Sequence, residues 1–332
     1  MKLLVTGGAG YIGSIVTRQL VAAGHQVEVL DDLSKGYRDN VPAEVAFHEL
    51  SIHDVAQVLT PDAGFDGVLH FAAKISVEES VSNPALYWDT NVRGTLDLLD
   101  AVRAAGTPRL IFSSTGTVHG NVAGDDPAAK ITEDFAVAPT NPYSSSKLMI
   151  DLLLTGECGG SDLGAVSLRY FNAAGASVPA DGAGFLGERH EPETHLIPIA
   201  LQAAAGDRAE FFLFGDDYDT PDGTCIRDYI HVEDLATAHL LALEHAEPGQ
   251  HKIYNLGNGN GYSNRQVVDV VREVTGAKLP VTLAPRRDGD AVVVVASSEK
   301  ARRELGWVPA KPDLADIIAD AWAFYQHDKG RS

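Results

Sequence analysis

Short apolar runs alternate with helix-period segments through the first half of the chain. Leu3-Leu4-Val5 reads as a buried strand. A helix over 14–23 follows, ended by Gly24, and then a second strand over 26–30. Further strands are predicted at Ala46–Glu49, Gly67–His70, 109–112 and 164–169. Strands and helices in alternation build a doubly wound parallel sheet, so the expected class is α/β. A long helix is predicted over 91–105, where Val92, Leu96, Leu98, Leu99 and Val102 span more than one face. A second subunit could cover part of that surface. Another helix starts at Asn141-Pro142: Asn141 can cap it, Pro142 suits its first turn, and Leu148, Ile150, Leu152 and Leu153 give it apolar surface.

The second half is less regular. Helices are predicted over 195–205, 233–245 and 263–275, with a strand over 210–214 and long polar loops between them. At 332 residues the chain is long for one core, and two lobes are expected. The first is residues 1–172, with elements from about 230–256 returning to it, and the second, a smaller mixed α/β lobe, is mainly 173–332.

Composition removes several functions. Hydrophobic residues make up 45%, enough for a globular core, and no apolar run approaches the ~20 residues of a membrane span. The net charge of −20, without a Lys/Arg cluster, argues against nucleic acid and anionic membranes as partners. Cys158 and Cys225 are too few for a disulfide framework. Met1-Lys2 leads straight into a strand and leaves no room for a signal peptide, so a cytoplasmic location is expected. No metal site is expected.

Three stretches carry candidate chemistry. After the first strand comes Thr6-Gly7-Gly8-Ala9-Gly10-Tyr11-Ile12-Gly13. Glycines at 7, 10 and 13 let the backbone turn tightly and approach a pyrophosphate at a helix N-terminus. The second strand ends at Asp31-Asp32, and a carboxylate there can accept both ribose hydroxyls and repel a 2′-phosphate. Together these point to a Rossmann-type domain that binds NAD rather than NADP, although Lys35 and Arg38 lie close. His70-Phe71-Ala72-Ala73 after the fourth strand offers small residues against which a cofactor could lie.

The second stretch is Asn141 to Lys147. On a helix Tyr143 and Lys147 are i and i+4 and share a face. A phenol has a pKa near ~10, and lowering it by ~3 units needs about 4 kcal/mol. One cation at ~4 Å and an effective dielectric of ~20 supplies about that much, so the lysine is expected to make the tyrosine a base. Tyr325 and Lys329 share the spacing and receive no role. The third stretch is Ser113-Ser114-Thr115 at the end of the fifth strand, the edge where such sheets bind ligands. Further along, Arg227 and the Arg286/Arg287 pair are guanidinium groups that could clamp a diphosphate.

The glycine spacing, Thr115 and the Tyr143/Lys147 pair, in that order, resemble the short-chain dehydrogenase/reductase superfamily. Nearly the whole chain is similar to the UDP-glucose 4-epimerases within it. The specific pieces are 6–13, 141–147, 168–172, 222–235 (Asp-Gly-Thr, then Arg227-Asp228-Tyr229-Ile230-His231-Val232), 254–259 and 285–290. The resemblance implies a tightly held NAD, reduced and reoxidised in each turnover, with UDP-glucose and UDP-galactose as substrates. Tyr143 would take the proton of the 4-hydroxyl, and the 4-keto sugar would swing over and be reduced on its other face. Thr115 would bind O4, and Lys147 the cofactor ribose. The NAD site would comprise Gly7, Gly10, Tyr11, Ile12, Gly13, Asp31, Asp32, Ser51, Ile52, Phe71, Ala72, Ala73, Asn91, Ser113 and Tyr170. Phe171, Asn172, His195, Leu196, Phe212, Arg227, Arg287, Asp290 and Val294 would hold the UDP-sugar. A homodimer through 91–105 and 143–155 is also implied.

Departures from the family pattern bear on details. Ser51 stands where an aspartate usually contacts adenine, a lysine near the pyrophosphate in some members is displaced to Lys74 with Ile75 in its place, and His119 replaces a common tyrosine and is read as structural. Val294 occupies a position where a bulky tyrosine narrows the sugar pocket, which implies some activity on UDP-N-acetylglucosamine. A 4,6-dehydratase would carry an Asp-Glu pair after the threonine, where this chain has Gly116-Thr117. A UDP-uronate epimerase would want an extra basic contact, and a non-catalytic regulator would have lost the Tyr–Lys pair or a glycine.

Overall fold

The computed structural model describes residues 1–120, 129–178, 184–287 and 289–331, so Asp288 of the 285–290 motif lies outside the described residues. The chain opens with β1 (Lys2–Thr6), α1 (Tyr11–Ala22), β2 (Gln26–Asp31), β3 (Ala46–Glu49) and β4 (Gly67–His70). Two short helices, α2 (Val77–Ser82) and α3 (Pro84–Tyr87), and a π-helical turn at Trp88–Arg93 lead into α4 (Gly94–Ala105) and β5 (Arg109–Thr115). The predicted 91–105 helix is therefore irregular over its first turn. Then come α5 (Pro142–Gly160), β6 (Gly164–Tyr170), β7 (Asn172–Ala174), α6 (Leu196–Ala204) and β8 (Phe212–Phe214). The chain continues through β9 (Ile226–Arg227), β10 (Tyr229–His231), α7 (Val232–Glu244), β11 (His251–Leu256), β12 (Tyr262–Ser263) and α8 (Asn264–Thr275). It closes with β13 (Thr282–Ala284), β14 (Val293–Val294), α9 (Glu299–Leu305) and α10 (Leu314–Asp328).

Seven strands form one parallel sheet in the order β11-β6-β5-β4-β1-β2-β3. This is the doubly wound α/β architecture, in which the strand order switches direction between β1 and β4. One face is covered by Ile15, Val16 and Leu20 of α1 and Leu235 and Leu243 of α7, and the other by Leu98, Leu99, Ile150 and Leu154 of α4 and α5. A third core, with Ile197, Leu201, Val267, Val271, Ile317 and Ile318, joins α6, α8 and α10 outside the sheet. Among the described residues no helix is long and apolar enough to cross a membrane.

Asp228 ties the two halves together. It is fully buried, and it accepts the amides of Asn258 (2.9 Å), Gly259 (3.0 Å) and Ala296 (3.0 Å). Gly257 is required beside it, because a Cβ there would sit 2.3 Å from Oδ2. Burial raises the Asp228 pKa to about 6, although the three amides pull it down. Asp228→Asn would turn an amide donor against a backbone N–H that now has a carboxylate oxygen. We expect a loss of about 2 kcal/mol in chemical denaturation from that unsatisfied donor; an unchanged midpoint would show that the three amides do not depend on this carboxylate.

Candidate active site

The glycine turn is built as its spacing requires. Gly7 has φ of +73°, and a Cβ on it would meet Ala72 N at 2.5 Å. A Cβ on Gly13 would lie 2.2 Å from Gly7 O. Gly10 caps α1 without a side chain, so the helix starts at Tyr11, three residues earlier than the pattern predicts, and presents free amides. Those features fit a dinucleotide pyrophosphate, since the turn packs so closely on backbone that a side chain at 7 or 13 would force it open and move the helix amides.

The rest of the expected cofactor set divides into wall and support. Asp31 is buried at the end of β2, where it accepts Ala9 N and Leu33 N, each at 2.9 Å. Burial raises its pKa against the pull of those amides, and its first job is to hold the turn. Asp32 is exposed and accepts Ser34 N at 2.9 Å. Ser51 caps the turn that follows it, and Ile52 is a core residue packed on Gly94. Asn91 does not line the site as expected. Its fully buried side chain accepts Lys74 N (2.8 Å) and donates to Lys74 O (3.0 Å) and Ser146 Oγ (3.0 Å), holding the wall from behind. Phe71 stacks near His239, with ring centroids 4.8 Å apart, and Ala72 abuts Gly7. Ala73 follows it in the same partly exposed stretch, and Ile12 packs at the edge of the α1 core. Tyr11 reaches across to donate to Gly175 O at 2.7 Å.

The three expected catalytic side chains lie on the end of β5 and on α5, which packs against it. The Thr115 hydroxyl lies beside the Tyr143 phenol and pulls its pKa down. Lys147 is buried and donates to Ser113 O at 2.8 Å, and Ser113 Oγ lies 2.5 Å from Tyr170 OH. Asn141 caps α5 by accepting Ser144 N at 2.9 Å, as predicted. A chain of hydroxyls that the sequence did not reveal links the two elements: Thr115 to Thr117 at 3.1 Å and Ser144 to Thr117 at 2.9 Å. Such hydroxyls carry no spacing signature, because their contact is made only by the fold. His119 is fully buried, its Nδ1 3.3 Å from Ala136 O, and burial lowers its pKa.

The electrostatics correct the reading from spacing. Burial raises the Tyr143 phenol to about 12, with Thr115 pulling it down, and lowers Lys147 to about 7, with Asp151 pulling it up. Lys147 is buried and Tyr143 half-buried, so a lysine four residues away does not by itself produce a phenolate. Asp151 is fixed by Arg169 in a buried pair with Nε donating at 2.9 Å.

Beyond β6 the chain passes Phe171, whose ring lies over Gly116, and reaches Asn172 in a cleft of about 250 Å³. Asn172, His195, Leu196, Phe212, Arg227 and Arg287, assigned to the UDP-sugar site from sequence, line it. Arg208, Tyr229 and Asn264 line it too and were missed. Asp290 joins the two arginines, 3.0 Å from Arg287 and 3.8 Å from Arg227. Arg286 is turned away to Asp217 and the ring of Tyr218. Val294 pairs in register with Arg227 across β14 and β9.

Comparison with known proteins agrees with this arrangement. Residues 3–257 match the model of the NAD dependent epimerase/dehydratase family. The chain is 51% identical to a UDP-glucose 4-epimerase of Corynebacterium glutamicum over 98% of its own length and 95% of the relative's. It is also 51% identical to one of Streptomyces lividans, over 99% and 98%. The crystal structure of the Brucella ovis UDP-glucose 4-epimerase in complex with NAD superposes with a TM-score of 0.91 at 42% identity, covering 98% of each chain. The chain therefore belongs to the NAD dependent epimerase/dehydratase family, grouped by sequence with its UDP-glucose 4-epimerases.

Proposed function

We propose that this protein interconverts UDP-glucose and UDP-galactose by reversible oxidation at C4 of the sugar. The observation that carries the reading is the buried Lys147 at the carboxyl end of β5, donating to Ser113 O at 2.8 Å, with the Thr115 hydroxyl close enough to Tyr143 to pull its phenol pKa down. Gly7, Gly10, Gly13 and Asp31 hold NAD, which when bound supplies the acceptor and donor of the C4 hydride and, oxidised, a positively charged ring. Thr115 orients O4, and Tyr143 takes its proton and later returns it. Lys147 binds the ribose and favours the phenolate. Arg227 and Arg287 grip the diphosphate, so the sugar itself can turn and present either face. Residues 1–172 mainly serve the cofactor and 173–332 the nucleotide-sugar.

An assay with UDP-galactose and no added NAD, read by chromatography, tests the function: UDP-glucose should form without net NADH. Accumulation of a 4-keto-6-deoxy product would instead support the dehydratase reading. The protein acts as a homodimer in this reading, and Leu96, Met149 and Leu152 of α4 and α5 are exposed for that contact (Leu152 by 59%). A valine at 294 also leaves room for an N-acetyl group. Turnover of UDP-N-acetylglucosamine is expected, and Val294→Tyr should cut it about tenfold relative to UDP-glucose, in line with rejection by a narrowed pocket. Absence of any N-acetyl turnover in the parent protein overturns this.

A further inference from the structure

His195 sits at the seam between the cleft and a carboxylate cluster that the reaction does not use. It caps α6, lines the cleft and is 53% exposed. Its Nδ1 is hydrogen-bonded to Glu188 Oε1 and lies 3.4 Å from Glu193 Oε1. Those carboxylates are nearly buried, at 8% and 4% exposure. Glu193 Oε1 also accepts the amides of Thr194 (2.7 Å) and His195 (2.8 Å), which fixes the backbone at the rim. Glu188 further accepts His190 Nδ1 at 2.9 Å, and the two imidazole rings lie 5.4 Å apart.

This geometry restricts what His195 can offer an anion. With Nδ1–H committed to Glu188, a neutral ring leaves Nε2 as a bare acceptor, which a phosphate oxygen repels. Only the doubly protonated ring presents Nε2–H as a donor to the cleft. We propose that Glu188, helped by Glu193, is a positioning residue that keeps His195 an imidazolium whose Nε2–H binds the diphosphate of the nucleotide-sugar. The inference rests on the reading of the cleft as the UDP-sugar site. The surroundings agree with it. Partial burial lowers the His195 pKa, but Glu188 and then Glu193 outweigh that and raise it to about 10. Glu188 is held down to about 2, where burial is outweighed by His195 and His190. On the other sides stand the Tyr11 phenol, which burial and both carboxylates push up, and Lys35, which reaches Glu191 O. Across the cleft are Arg208, Arg227 and Arg287, with Asp290 between the last two. A cation at this rim adds to guanidinium groups of which two, Arg227 and Arg287, share one carboxylate.

The sign of the pH dependence follows. His195 is charged below about 10 in the parent protein, so its contribution persists through neutrality and is lost only on approach to that value. Glu188→Gln keeps a hydrogen-bonding group and removes the charge, which returns the imidazole toward its ordinary value near ~6.5. Binding of UDP-glucose, measured by calorimetry between pH 6 and 8.5, should change less than threefold in the parent protein. In Glu188→Gln it should weaken by about tenfold over that range, while His195→Gln binds weakly at every pH. Equal pH dependence in the parent and Glu188→Gln overturns the inference, whereas failure of the parent protein to bind UDP-glucose overturns the reading of the cleft and this inference with it. Histidine Cε1–H NMR on the parent protein gives a second arm that does not depend on a variant folding, with His195→Gln supplying the assignment. The His195 signal should hold its imidazolium position up to pH 8.5, and titration near 6.5 would overturn the proposal.

Discussion

Tyr143→Phe is expected to lower kcat by about 10³-fold for UDP-galactose, with NAD content and the binding of UDP-glucose kept within about threefold. The change removes one hydroxyl and nothing else. The ring stays packed against Tyr87, edge-on with centroids 6.4 Å apart, and Thr115 keeps its contact with Thr117 at 3.1 Å. The structural cost is therefore that of one hydrogen bond, about 1 kcal/mol. The chemical cost is larger, since a positioned base typically contributes ~10²–10⁴-fold, and the neighbouring phenol, Tyr170, is engaged with Ser113. Thr115 is a poorer proton acceptor, Lys147 is directed at Ser113 O, and His119 is enclosed. NAD released by denaturation would be quantified alongside initial rates. A loss of less than tenfold with full NAD content would mean that the proton leaves by another route.

The elements of the first half were legible because each rests on a local signal. Leu3 to Val5 is apolar on both faces, the glycines at 7 and 13 permit only one kind of turn, and Asn141-Pro142 marks a helix start whatever surrounds it. Elements held by distant partners were not legible. β9, β12 and β14 are two residues each and exist because Asp228 gathers the 258–259 turn and Ala296. No periodicity can be seen in two residues. The same division runs through the site. Residue types at fixed spacing, such as Tyr143 with Lys147 or Arg227 beside Asp228, could be read directly. The hydroxyl chain through Thr117 and Ser144 and the inward turn of Asn91 depend on folds in three dimensions between segments far apart in sequence, and the Glu188–His195 contact on an irregular loop with no period to read. Spacing is also silent on burial, and loss of water around Tyr143 and Lys147 reverses the simplest expectation for the catalytic pair.

That reversal sets the size of the second large effect, which is expected for Lys147→Met. With the phenol at about 12 and the ammonium at about 7, moving a proton from Tyr143 to Lys147 costs roughly 7 kcal/mol before the two charges attract. Attraction at ~4 Å and an effective dielectric of ~20 returns about 4 kcal/mol. The pair therefore brings the phenolate within reach without forming it outright, and, since the pull of Thr115 is already part of the phenol's value, the remainder must come from the charge of bound oxidised NAD. Asp151, locked by Arg169, supports the ammonium form from the far side. Methionine keeps the stem of the side chain and its packing over Phe112, where the Lys147 ammonium lies 4.8 Å from the ring centroid, but it carries no charge. Losing about 4 kcal/mol of phenolate stabilisation should reduce kcat at pH 7 by ~10²–10³-fold. Because a base works only when deprotonated, raising the phenol pKa moves the rising limb of the pH–rate profile to higher pH. Part of the lost rate should therefore return by pH 9, whereas the parent protein gains little over that interval. A uniform loss with the profile unmoved would place Lys147 solely on the cofactor ribose and leave the phenol to be lowered by other groups.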